Sequence, residues 1–134
     1  MEILVKKLVA AVVLASAPLL AYAGGDGVRF DAVVSEGGKP IATPSVWVPF
    51  GQDAVIEVPG KVRVVATAAV PNGSLSNVTA RMYYFSQGAW VLDWDTSMEA
   101  NIAQTPSFEK DLGDKAHRVV VMPRAAGRPS ADGI

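Results

Sequence analysis

The chain has 134 residues, with 12 basic and 13 acidic side chains and a formal net charge of −1. This length suits one domain with a modest core. The balanced charge excludes strong electrostatic attraction to nucleic acid or to an anionic membrane surface. There is no cysteine, which excludes disulfides and a lipid-anchored cysteine, so stability must come from packing.

The first 23 residues have the pattern of a cleaved secretory signal peptide. Lys6 and Lys7 precede an apolar run of about 14 residues, and the small-x-small sequence Ala21-Tyr22-Ala23 follows it. The run is too short for a transmembrane anchor, which takes about 20 residues. We therefore expect cleavage after Ala23 and a mature protein that is periplasmic or secreted.

We expect the mature chain to form one domain over residues 24–123, followed by a disordered tail over residues 124–134 that is rich in Gly, Pro, Ala and Ser. Without Glu2, Lys6 and Lys7, the chain keeps 10 basic and 12 acidic side chains. It is expected to be a monomer with no nucleic-acid partner and no membrane span.

Short alternating segments between turn residues fill the first half of this domain. Strands are predicted over residues 28–33, 45–50, 54–58 and 62–70. Pro49 has no amide hydrogen, so the second of these strands is expected at the edge of a sheet. Gly51-Gln52-Asp53 and Pro59-Gly60-Lys61 are expected to form hairpin turns.

The second half continues the same pattern. Strands are predicted over residues 78–86 and 89–95, and a closing hairpin over residues 108–122. Residues 96–109 are poorly patterned, and residues 99–103 fit either a helical turn or part of a strand. About seven to eight short strands predict an all-β fold, an antiparallel β-sandwich of immunoglobulin-like or transthyretin-like type, with a small β-barrel as the alternative.

Residues 37–65 combine a proline, an alternating apolar strand, a glycine followed by a polar residue, and then Ala-x-Ile-x-Val, here Ala54, Ile56 and Val58. This pattern resembles one found in small exported proteobacterial proteins and in the β-rich domains of outer-membrane secretins. The resemblance implies an exported β-rich protein and transfers no catalytic residue.

The residues give little support for catalysis, and we expect the protein not to be an enzyme. There is one histidine, His117, and residues 72–76 lack the second glycine of a nucleophile elbow. Asp93 and Asp95 are two apart, so a strand would hold both on one face about 6–7 Å apart, a separation suited to glycoside hydrolysis. Their alternation with apolar residues instead favours the solvent side of a half-buried strand.

Soft metal ligands are few. His117, Met122 and Met98 are the candidate set for a periplasmic copper carrier. His117 and Met122 are five residues apart on a predicted strand, so their side chains are expected to point to opposite faces. Met82 is expected to face the core, which is the commoner use of methionine. No cofactor is expected.

Aromatic residues at alternating positions give the better functional prediction. Trp47 is expected to point away from the core, opposite to Phe50 and its apolar neighbours, and Tyr83 and Phe85 are expected to point outward on another strand. Outward aromatics mark a binding surface, unless residues 96–107 cover them. Trp47, Phe50, Tyr83 and Phe85 are therefore the candidate partner-binding residues.

These observations favour a non-enzymatic protein-binding module of the bacterial envelope that acts through an edge strand or an aromatic face. Residues 45–50 are the first candidate edge, because an edge strand exposes backbone groups to which a partner strand can add. The expected partner is an envelope or secretion-system protein. A periplasmic copper carrier and a structural or assembling subunit are the alternatives.

Overall fold

The computed structural model describes residues 12–15 and 26–129, so the predicted cleavage site after Ala23 and residues 130–134 lie outside the described residues. The described part of the chain is built from ten strands and has no helix, which confirms an all-β fold. It accordingly holds no helix long and apolar enough to cross a membrane. In chain order the strands are β1 (Val12–Ala15), β2 (Asp26–Glu36), β3 (Lys39–Ala42), β4 (Ser45–Pro49), β5 (Ala54–Val58), β6 (Val62–Ala68), β7 (Leu75–Ser86), β8 (Ala89–Asn101), β9 (Phe108–Asp111) and β10 (His117–Gly127).

The strands form two antiparallel sheets that pack face to face. The first sheet has the order β1-β5-β6-β7-β8, and the second has the order β3-β2-β10-β9, with β4 also pairing with β2. The predicted sandwich is therefore confirmed, and the alternative of one closed barrel is not formed. Successive hairpins connect β5 to β8; glycines with positive φ, such as Gly60 at 72° and Gly88 at 80°, allow their tight reversals.

Alternating apolar residues build the core between the sheets. Along β5 and β6, every second residue is buried and the residues between them are half-buried, as expected for strands with one face on a core. The largest fully buried side chains include Phe30, Phe108, Ile56 and Met82. The core position predicted for Met82 is thus confirmed.

The link between β4 and β5 is not the predicted hairpin turn. β4 pairs with β2 in the second sheet, whereas β5 pairs with β6 in the first. Gly51-Gln52-Asp53 therefore carries the chain from one sheet to the other, and the amide of Gly51 donates to the carbonyl of Ala68 at 2.8 Å. The predicted edge position is confirmed, because β4 pairs only with β2 among the described strands.

β8 is longer than predicted. It continues to Asn101, so residues 99–101 belong to a strand and not to a helical turn. Residues 96–101 remain beside β7 along the sheet. This stretch therefore does not fold back over the outer face of the sheet.

A β-bulge interrupts the register between β7 and β8. Met82 lies opposite Trp94 and Tyr83 lies opposite Leu92, so Asp93 between them has no cross-strand partner. Directly paired residues share a face, and Trp94 packs against the core together with Met82. Trp94 and Leu92 therefore lie on opposite faces of β8, although they are two residues apart, because the extra residue reverses the alternation.

Part of the predicted tail belongs to a strand. β10 pairs with β2 as far as Gly127, so residues 124–127 are not a disordered tail. Pro123 does not interrupt this strand. The amide of Ala125 donates to the carbonyl of Ile102 and not to β2. Because N–H directions alternate along a strand, the nitrogen of Pro123, two residues earlier, also points away from β2. A proline at this position therefore removes no hydrogen bond between β10 and β2.

Candidate functional site

The outer edge of β5 holds an added strand. β1, whose residues lie within the predicted signal peptide, pairs antiparallel with β5 in four consecutive residue pairs, from Val12 opposite Glu57 to Ala15 opposite Ala54. β1 also has Cα atoms within 8 Å of Cα atoms of β4 in the other sheet. It therefore lies along the side of the sandwich where β4 and β5 would otherwise be the outermost strands.

The turn after β5 determines which backbone groups face β1. The amide of Lys61 donates to the carbonyl of Val58 at 2.9 Å, so the carbonyl of Val58 faces β6. The N–H and C=O of one strand residue point to the same side, and the side alternates along the strand. The backbone N–H and C=O of Ile56 therefore also point toward β6. Those of Val55 and Glu57 point toward the outer edge that β1 occupies.

The other edges of the sandwich carry features that hinder strand addition. β8 has the bulge at Asp93, three of the four residues of β9 are charged, and β3 and β4 contain Pro40 and Pro49. β5 has no proline and no lysine, and Glu57 is its one charged residue. Among the described strands, β5 therefore has the edge best suited to pairing.

The two candidate partner-binding residues of the β4 region are engaged within the chain. Trp47 is half-buried on the outer side of its sheet, as predicted, and its Nε1–H donates to the carbonyl of Ala126 at 2.9 Å. A Cβ atom at Gly27 would lie 2.7 Å from Cζ2 of the indole, so the missing side chain makes room for the ring. Phe50 is 6% exposed and belongs to the core.

The other two candidates lie on an exposed apolar surface at the end of the β7–β8 hairpin. Phe85 is 38% exposed and packs edge-to-face against Trp90, with ring centroids 5.0 Å apart. Tyr83 is half-buried, and Leu92 opposite to it is 48% exposed. These side chains point away from the core, as predicted for Tyr83 and Phe85.

His117 lies in a cluster of charged groups at the start of β10. Its side chain is 9% exposed, with Nδ1 2.5 Å from Oδ2 of Asp114 and Nε2 3.5 Å from Oε1 of Glu36. Burial raises the pKa of Asp114, but hydrogen bonds from the Ala116 amide and from His117 outweigh it, so this pKa lies below its ordinary value. A hydrogen bond from Lys61 lowers the pKa of Glu36.

The candidate metal ligands are not brought together. Met122 lies farther along β10 than His117, and Met98 is 44% exposed on β8 in the other sheet. Both ring nitrogens of His117 lie beside carboxylates, and the ammonium group of Lys61 contacts Glu36 at 3.0 Å. Within residues 12–15 and 26–129, no group of three or more His, Cys, Asp or Glu side chains is arranged to hold a metal.

The bulge also separates the two aspartates of β8. Asp93 accepts a hydrogen bond from the amide of Gly113 at 3.1 Å and lies 3.4 Å from the ammonium group of Lys110 in the other sheet. Asp95 is exposed and lies opposite Arg81 on β7. The expectation that both carboxylates share one face is therefore wrong, since it assumed a regular strand.

No family model matches the chain, and no match was found among curated proteins or solved structures. The geometry of the sheet edges is therefore the main guide to function. The sequence pointed to an edge strand but favoured β4 because of Pro49. The signal for β5 was a strand without proline or lysine, together with an apolar run in the predicted leader that contains Val12 and Val13 and also suits a strand.

Proposed function

We propose that this protein is an exported, non-enzymatic protein-binding module of the bacterial envelope, which binds an extended segment of a partner protein along the outer edge of β5. The observation that carries the proposal is the antiparallel pairing of β1 with β5. It supports strand binding because a strand seated on an edge uses the same backbone hydrogen bonds that a partner strand would use.

Export makes this edge available to a partner. Cleavage after Ala23 removes β1, which leaves the backbone groups of Val55 and Glu57 unpaired beside the core. Backbone groups in such a position need new hydrogen-bond partners, and an unprotected edge recruits a strand that supplies them. The partner strand takes the place of β1 beside β4 and β5.

Strand binding is tested with the full chain carrying Leu14→Pro. Leu14 lies opposite Val55, so a proline there removes an amide that β1 needs for pairing. The probe is a fluorescent peptide with the sequence of residues 11–16 between pairs of lysines. We expect saturable binding by fluorescence anisotropy, and binding about tenfold weaker to the unchanged full chain, because its own β1 occupies the edge.

A matched pair of further substitutions locates the binding. Val55→Pro removes an amide that faces the outer edge and leaves the pairing of β5 with β6 intact, whereas Val55→Thr keeps the amide. We expect Val55→Pro alone to abolish peptide binding, with a Tm close to that of Val55→Thr. Equal binding by the two variants, or no saturable binding by a folded Leu14→Pro chain, contradicts the proposal.

The envelope location has a separate test, the mass of the protein recovered from the periplasm of an expressing bacterium. We expect a mass that corresponds to a chain beginning at Gly24. An unprocessed chain that stays in the cytoplasm contradicts export and leaves strand binding to the peptide experiment.

The same edge fits a second copy of the chain, which is the assembling-subunit alternative. We expect the Leu14→Pro chain to be a monomer by light scattering at all concentrations measured. A concentration-dependent dimer that Val55→Pro abolishes would favour the assembling subunit and contradict a monomeric binding module.

A further inference from the structure

The core face of the first sheet consists of rows of residues that lie opposite one another on successive strands. Directly paired residues share a face, so each row continues across the sheet. The small row is Ala54, Ala66 and Ala80, and the large row is Ile56, Val64 and Met82. All of them are buried. Alternating small and large rows allow two packed sheets to interdigitate.

The register of β1 is aligned with both rows. Ala15 lies opposite Ala54, and Val13 lies opposite Ile56, so a strand in this register has two positions opposite core-facing residues of β5. The other two positions of β1 lie opposite half-buried residues of β5 on the outer side. A strand seated on this edge thus has two positions that must fit the core and two that face outward.

We infer that the partner strand runs antiparallel to β5 with a β-branched aliphatic residue opposite Ile56 and, two residues later, a small residue opposite Ala54. The inference rests on the proposed strand binding and adds the chemistry of the partner segment. A large residue opposite Ala54 overpacks a row of alanines, and a small residue opposite Ile56 leaves a gap in the row of large residues. The outward positions tolerate polar residues.

Three peptides of equal length test this inference on the full chain carrying Leu14→Pro. The first has the sequence of residues 11–16 between lysine pairs. The second exchanges the two inner residues (Val13→Ala with Ala15→Val), so its composition is identical and a difference in affinity reflects position alone. The third carries Leu14→Thr at an outward position. We expect binding about tenfold weaker for the exchanged peptide, and within about threefold of the first for the outward variant.

Each other outcome has a distinct meaning. Equal affinities of the first and the exchanged peptide overturn the inference while strand binding at β5 still stands. If Leu14→Thr weakens peptide binding more than the exchange does, the assignment of inner and outer positions is reversed, and this result also overturns the inference. If no peptide binds to the folded chain, or if Val55→Pro leaves peptide binding unchanged, the proposed function itself fails.

Discussion

Trp47 and Gly27 are matched to each other on the outer side of the second sheet. The indole starts on β4, passes over β2 where Gly27 has no side chain, and reaches the carbonyl of Ala126 on β10. The alternation of residues 45–50 predicts the direction of this side chain correctly. It does not predict the acceptor, because Ala126 is 79 residues away in the chain and the pattern of one strand carries no information on such a contact.

Asp114 gives a pH-dependent prediction, since its pKa is lowered from the ordinary value of 3.8. Such a carboxyl contributes stability that is fully present above its ordinary pKa and is lost as the pH falls through the lowered pKa of the folded state. We expect Asp114→Asn to lower Tm by about 4 °C at neutral pH, and by less as the pH falls from about 5 to about 2, in thermal unfolding followed by circular dichroism.

The exposed Asp95 provides the control for this series. Asp95→Asn removes the same charge from an exposed side chain that makes no hydrogen bond or ion pair with the other described residues, and we expect little change in Tm at any pH. An equal decrease for Asp114→Asn across the whole pH range would mean that the effect comes from shape and not from charge.

Among the strands, β8 deviates most from its pattern, and the deviation is confined to one residue. Leu92 and Trp94 lie opposite consecutive residues of β7, so Asp93 is one additional residue in an otherwise regular series of cross-strand pairs. Its side chain instead connects β8 with Lys110 of β9 and with Gly113 in the turn between β9 and β10. The bulge thus serves the contact between the sheets at the side opposite to β1.

Deletion of Asp93 should therefore be tolerated better than deletion of Asp95. Loss of Asp93 leaves every cross-strand pair in place and removes its hydrogen bond and ion pair, so we expect a decrease of about 1–3 kcal/mol in the free energy of unfolding. Loss of Asp95 forces one part of β8 to exchange its inner and outer faces. We expect the free energy of unfolding to decrease by more than about 4 kcal/mol, or no folded protein to form. Urea unfolding measures both; similar losses would contradict the observed register.

Local patterns predicted the strands and could not predict their partners. β5 and β6 were located from alternation and from Pro59-Gly60-Lys61, which form a hairpin as expected. Gly51-Gln52-Asp53 has similar turn residues but connects the two sheets, since a reversal has the same local chemistry in both settings. The edge at β5 was missed for the same reason. Its neighbour β1 comes from a segment whose composition indicates a leader, and one apolar run can suit both a leader and a strand.

Considered as a whole, the molecule has one side closed by a strand that lies outside the predicted mature domain. β1 pairs with β5 in the first sheet and lies near β4 of the second. Under the proposed export, the mature sandwich has the backbone of β5 uncovered there, while its other edges keep their charges, prolines and bulge. The proposed binding site is thus a property of the processed chain.

Hydrogen exchange measured residue by residue tests this arrangement without any ligand. We expect the amides of Val55 and Glu57 to exchange about 100-fold faster in the Leu14→Pro chain than in the unchanged chain, because β1 no longer protects them. The amide of Ile56 faces β6 and should keep its protection in both. Equal rates for Val55 and Glu57 in the two chains would mean that β1 does not cover the edge in solution.

Under the proposed export, the location of β1 gives the leader a second role besides targeting. Residues 12–15 then have two requirements: they form part of an apolar leader, and they pair with β5 in the precursor. A foreign leader that meets only the first requirement would leave β5 uncovered while the precursor waits in the cytoplasm, where exposed strand edges promote aggregation. The choice of leader would then determine how much soluble precursor reaches the export machinery.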